Sequence, residues 1–242
     1  MPAVFVHGVP DTAAMWAPLI AILGRDDVIT LGLPGFAAPT PHDWSATKER
    51  YASWLESELA ALDEPVDLVG HDWGAILAQR VASVRPDLVR TIACGSGPLD
   101  ATYEWHAMAQ LWQTAGVGEE IMTGMLALPA DDLAAGLAAG GAPYELATLQ
   151  ASRLDEQMTA CILALYRSAV TVGAEWQRAV DTMPIRPALV FHGADDPYVG
   201  QDVAQRIAWR LAAELVTFPG CQHWWPWERA AETAAALTRL WG

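Results

Sequence analysis

The sequence predicts an α/β fold in which a mainly parallel sheet is flanked by helices and carries an inserted helical cap. Three observations lead there. Short apolar runs that end in glycine or polar turns alternate with longer amphipathic stretches, the pattern of parallel strands joined by crossover helices. One long segment, residues 98–183, shows helical periodicity without a clear strand and is too long for an ordinary crossover. In Val69-Gly70-His71-Asp72-Trp73-Gly74, a residue with glycine two positions to either side sits where a strand ends and a helix begins.

Along the chain, Ala3 to Val6 is an apolar run stopped by His7-Gly8, and Val28 to Leu31 is a second stopped by Gly32. Val66 to Val69, Thr91 to Cys94, Ala188 to Phe191 and Glu214 to Thr217 repeat the pattern with β-branched and apolar residues. Helical periodicity covers Ala46 to Leu62, Ala75 to Ser83, Asp202 to Ala212 and Ala230 to Leu240. Gly140-Gly141 and Pro143 interrupt the long insertion. Residues 1–97 and 184–242 therefore read as one core and 98–183 as the cap, within a 242-residue chain that suits a single domain.

Composition narrows the function. The net charge of −15, from 29 acidic against 14 basic residues, repels phosphate backbones and anionic membrane surfaces, so neither nucleic acid nor membrane is an expected partner. Cys94, Cys161 and Cys221 are too far apart for zinc-site spacing and read as reduced thiols. The N-terminus lacks the basic start and apolar stretch of a signal peptide, and no run reaches the length of about 18 apolar residues expected of a membrane span. These features predict a soluble, cytoplasmic protein.

At the strand-to-helix turn the glycines are sterically required, because the tight turn leaves no room for side chains two residues from Asp72. An Asp that only caps the following helix is the alternative. Matching segments follow in order: Phe5-Val6-His7-Gly8-Val9-Pro10, where backbone N–H groups can face an anion, then Leu31-Gly32-Leu33-Pro34-Gly35-Phe36. Gly193-Ala194-Asp195-Asp196 and Phe218 to Trp224, with His223, end the series.

Together the His-Gly-x-Pro turn, the Leu-Pro-Gly-Phe segment and the Gly-His-Asp-Trp-Gly turn resemble the α/β-hydrolase superfamily, specifically its epoxide hydrolase and haloalkane dehalogenase branch. The resemblance spans nearly the whole chain and implies a sheet order of 4-3-5-6-7-8 in the family's strand numbering, which is 2-1-3-4-5-6 counted here. Two strands that usually precede the His-Gly-x-Pro strand are missing. A carboxylate nucleophile attacks an sp3 carbon and leaves an ester, so Asp72 implies alkyl transfer followed by hydrolysis. The resemblance further implies His223 as the base for water and Asp196 as the acid that orients it, with Asp195 left as a second candidate. It gives Val9 and Trp73 as oxyanion-hole N–H donors, and no metal or organic cofactor. His7 reads as structural, and His71 and His192 as fillers of strand ends.

Substrate chemistry divides the branch. Epoxide hydrolases use cap tyrosines to protonate the departing oxygen, and Tyr166 resembles one of them. Gln110-Leu111-Trp112-Gln113 lacks the tyrosine the family often has there, leaving Tyr103 and Tyr144 as substitutes that read more readily as packing. Dehalogenases hold halide with N–H donors, for which Trp73 matches one position and Trp105, Trp112 and Trp176 are candidates for the other. Val9 stands where a common dehalogenase branch has Asn. The expectation is a small hydrophobic epoxide as substrate, a haloalkane as runner-up, and water as co-reactant. A non-catalytic binding scaffold is the reading from another class, and a homo-oligomer is left open.

Overall fold

A computed structural model describes residues 1–242 and contains six parallel strands. They are β1 (Ala3–Val6), β2 (Val28–Leu31), β3 (Val66–His71), β4 (Val89–Gly95), β5 (Ala188–Gly193) and β6 (Glu214–Phe218), in the order β2-β1-β3-β4-β5-β6. That is the order the resemblance implied. The helices α1 (Ala17–Leu23), α2 (Lys48–Ala60) and α3 (Trp73–Val84) precede β4. Between β4 and β5 come α4 (Ala107–Gln113), α5 (Val117–Ala127), α6 (Ala130–Ala139), α7 (Tyr144–Arg153), α8 (Glu156–Ser168) and α9 (Val172–Asp181). The chain ends with α10 (Gln201–Arg210), α11 (Trp225–Glu228) and α12 (Ala230–Trp241).

Successive strand residues point to opposite faces, so each face of the sheet builds its own apolar layer. Val4, Val6, Leu68, Ile92 and Val190 pack with α2, α3 and α10. Phe5, Val69, Ala93, Leu189 and Phe191 pack with α1 and α12 on the other side. With both faces covered, the strand ends at the carboxyl edge are where the sheet can accept a ligand.

Three elements differ from expectation. Helix α1 has a sequence that is apolar on every side, so it carries no helical period; it stops at Gly24, which adopts the left-handed conformation at φ 62°. Helix α3 begins at Trp73, two residues before the expected Ala75, which puts Asp72 at its N-cap. Helix α9 lies within the expected cap, yet Val172, Trp176 and Val180 recur every four residues and bury themselves in the same apolar layer as α3. No helix is long and apolar enough to cross a membrane.

The start of the cap is tied to the core by Asp100, whose side chain is fully buried. Its carboxylate accepts from Arg206 Nε at 2.8 Å and Arg210 Nη2 at 2.7 Å, both on α10, and from Thr102. Without Asp100, Arg206 keeps 38% of its side chain exposed and can return to water, but Arg210 is 9% exposed and loses its main partner, a loss of about 1–3 kcal/mol for a buried donor left unsatisfied. Asp100→Ala should lower the unfolding free energy by that amount in a urea titration.

Candidate active site

At the end of β3 the backbone turns so sharply that Asp72 adopts φ 52° and ψ −121°, a conformation costing on the order of 1–3 kcal/mol for a residue with a side chain. Close packing makes the turn possible: a Cβ on Gly74 would collide with the Val6 carbonyl, and one on Gly8 with the Asp72 carboxylate. Asp72 is thus held against the end of β1. Val9 N–H donates to Asp72 Oδ1 at 2.8 Å. Trp73 is the first residue of α3, where backbone N–H groups lack an intrahelical acceptor.

His223, on the loop after β6, places Nε2 3.7 Å from Asp72 Oδ2 and Nδ1 3.0 Å from Asp196 Oδ2. Asp196 also accepts from the Ser96 hydroxyl at 2.9 Å and from the N–H groups of Tyr198 at 2.8 Å and Val199 at 3.1 Å. Neighbouring Asp195 is exposed and does not touch His223. Ser96 stands just after β4, where a carboxylate is absent from the sequence.

These contacts set the charges. Burial pulls the His223 imidazolium down, but Asp196 and Asp72 outweigh it and raise the group to about 10. For Asp196 burial favours the neutral acid, yet the His223 charge and the hydrogen bonds lower it to about 2. The imidazole is therefore cationic while both carboxylates carry charge. His71 and His7 are neutral, since burial lowers them to about 3 and about 4. His71 Nε2 donates to the His223 carbonyl at 3.0 Å, and His7 Nε2 accepts from Leu33 N–H at 3.0 Å. Both tie a strand end to a neighbouring loop. His192 is buried without a ring hydrogen bond.

Above Asp72 lies a cavity of about 310 Å³ between the sheet edge and the cap, within the usual range for small-molecule sites. Val9, Asp72, His223, Trp112 and Tyr166 line it, as do Tyr103 and Trp105. Trp73 does not. Its fully buried indole is stacked against Trp105 at 5.8 Å and edge-packed on Tyr166 at 5.5 Å. Trp176 sits in the core beneath Lys48 and Arg80, and Tyr144 is on the surface at 64% exposure, so neither reaches the cavity. Tyr103 lines it, but its hydroxyl is donated to the Tyr198 carbonyl at 3.0 Å.

Sequence reasoning missed three residues here. Tyr198 packs its ring on His223 at 5.0 Å and donates its hydroxyl to the Gly140 carbonyl in the cap. His106 is in the cavity wall and caps α4. Asp11 is buried and accepts from Gln150 of α7 at 2.7 Å and from the Trp224 indole at 3.0 Å, tying the β1 turn to the cap and to the His223 loop. Its place directly after His-Gly-Val-Pro was the available signal; its partners, 139 and 213 residues away, left none.

A model of the alpha/beta hydrolase family matches residues 3–236. The chain belongs to that family. This alpha/beta hydrolase is 32% identical to an (E)-2-((N-methylformamido)methylene)succinate hydrolase of Acinetobacter baylyi, over 42% of this chain and 40% of that protein. It is 27% identical to a haloalkane dehalogenase of Psychrobacter cryohalolentis, over 51% of this chain and 45% of that protein. The chain thus spans less than half the length of these two relatives. A solved meta-cleavage product hydrolase from Pseudomonas fluorescens shares the fold with a TM-score of 0.80 at 18% identity, covering 100% of this chain and 90% of that one.

Burial raises Asp11 from 3.8 to about 6, against its two donors. Because the folded-state value exceeds the ordinary one, the folded protein holds this proton more tightly, and stability from this group falls as pH rises from about 4 to about 6. Asp11→Asn cannot titrate. The unfolding free energy of the wild type relative to this variant should drop by about 2–3 kcal/mol between pH 4 and pH 7 in urea titrations.

Proposed function

We propose that this alpha/beta hydrolase opens small, uncharged epoxides through an ester on Asp72 and releases vicinal diols. One observation carries the reading. Of the three tyrosines that line the cavity, Tyr103 and Tyr198 have committed their hydroxyl hydrogens to carbonyls, whereas the Tyr166 hydroxyl has no acceptor in the protein. Burial and the nearby Asp72 charge hold its phenol well above its ordinary value, so it stays protonated as a donor. An alkoxide is a poor leaving group without such a donor, and a halide needs none.

In this mechanism an Asp72 oxygen attacks an epoxide carbon, the C–O bond breaks, and Tyr166 gives its proton to the freed oxygen. Esterification removes the Asp72 charge, so one of the two anions that keep His223 protonated disappears and the imidazole becomes basic. The proton His223 then releases balances the one taken from Tyr166. Water next attacks the Asp72 carboxyl carbon with His223 as base, steadied by Asp196, while Val9 and Trp73 N–H groups receive the oxyanion. Collapse of this intermediate returns the carboxylate and the diol. Trp112 contributes an apolar wall.

Haloalkane dehalogenation is the second reading. It is favoured by the Psychrobacter relative and by Trp112, a residue of the cavity wall whose buried indole N–H has no partner. The covered position of Trp73 weighs against it.

His223→Gln should block the second step. Incubated with epoxides, this variant should gain the mass of the whole epoxide at Asp72, read by intact-protein and peptide mass spectrometry. With haloalkanes, a gain of the alkyl group alone would transfer the assignment to dehalogenation. No label from either panel on a folded variant would leave a binding scaffold. Adding Tyr166→Phe should slow epoxide labelling by about 10²–10⁴-fold, the usual contribution of a positioned acid.

A further inference from the structure

Ring opening places negative charge on an oxygen inside an apolar cavity, and one donor satisfies only part of an alkoxide's hydrogen-bonding capacity. A second donor is therefore worth locating. The tyrosines supply none, as Tyr103 and Tyr198 are engaged and Tyr144 is outside the cavity.

His106 meets the requirement. It is the N-cap of α4, where its Nδ1 accepts the Ala109 backbone N–H at 3.3 Å. A nitrogen that accepts must present a lone pair, so the ring proton of the neutral imidazole is fixed on Nε2. Nε2 makes no hydrogen bond within the protein, and His106 lines the cavity. Its ring lies 4.9 Å from the Tyr198 ring, which itself contacts His223, and 6.3 Å from the Trp112 ring, which contacts Tyr166 at 4.9 Å. His106 and Tyr166 thus flank Trp112 on the wall that also holds the base. Burial lowers the imidazole below its ordinary value, although Asp72 and Asp196 pull upward, and this favours the neutral form with one N–H.

We propose that His106 is a second catalytic donor, whose Nε2–H hydrogen-bonds to the epoxide oxygen together with the Tyr166 hydroxyl as the C–O bond breaks. The inference rests on the epoxide reading. His106 donates without surrendering its proton: the Asp72 oxygen forms the new C–O bond, the ring C–O bond breaks, and the proton transferred to the oxygen comes from Tyr166. The cap residue is then part of the chemistry, with its orientation fixed by the helix it starts.

Two substitutions separate this role from helix capping. His106→Asn keeps a favoured N-cap side chain but is too short to present a donor in the place of Nε2. His106→Gln places an amide N–H near that position and is the poorer cap. In the His223→Gln background, with styrene oxide as probe, the rate of Asp72 labelling is followed by quenched-flow mass spectrometry. His106→Asn should slow labelling about 10- to 100-fold, somewhat less than the loss of a full oxyanion-hole donor. His106→Gln should recover part of the rate. Labelling of the Asn variant at the parental rate, or a Gln variant slower than the Asn variant, would overturn the assignment while leaving the epoxide reading intact. If the parental His223→Gln protein takes up no epoxide at all, the epoxide reading itself fails and this role goes with it.

Discussion

A cation held between two carboxylates, out of water, is the constraint around which this molecule is built. The side chains of His223 and Asp196 are almost wholly buried and that of Asp72 is 14% exposed, so solvent does little to screen them. Such a group is tolerable only if each charge meets fixed donors or an opposite charge. Four loops at one edge of the sheet supply them. Val9 comes from the β1 turn, Ser96 from the end of β4, the Tyr198 and Val199 amides from the β5 loop, and His223 itself from the loop after β6. Parallel strands deliver all these loops to the same edge, which is why this architecture suits the site.

On the proposed ester mechanism, the same arrangement makes His223 conditional on the charge of Asp72. With Asp72 ionised, His223 would be a poor base, improving only once Asp72 is esterified. Water would then be activated only when there is an ester to cleave. Because the control lies in Coulomb attraction across 3.7 Å, it needs no movement of the protein.

Much of the sheet and the frame of the site could be read from the sequence, because local rules dictated them. Glycines around Asp72 are demanded by collisions with residues that the strand order brings alongside, and each apolar run ends in a turn that points toward the same edge. Helix α1 escaped because a short, uniformly apolar segment has no period, and α9 because its pattern says helix without saying which layer it joins. His106, Tyr198 and Asp11 escaped for a different reason. Their importance lies in partners such as Gly140, Gln150 and Trp224 that sit far away in sequence, and nothing in a cap sequence announces which side chain will meet the cavity.

Tyr198 carries a consequence for how this chain can change over evolutionary time. Its amide steadies Asp196, its ring rests on His223, and its hydroxyl reaches the Gly140 carbonyl at the break between α6 and α7. The loop that carries Asp196 is thereby stitched to a segment of the cavity wall. New caps cannot simply be exchanged over an unchanged core: an insertion or shortening at that break would displace an acceptor and be felt at Asp196, so pocket shape and the surroundings of His223 are expected to drift together.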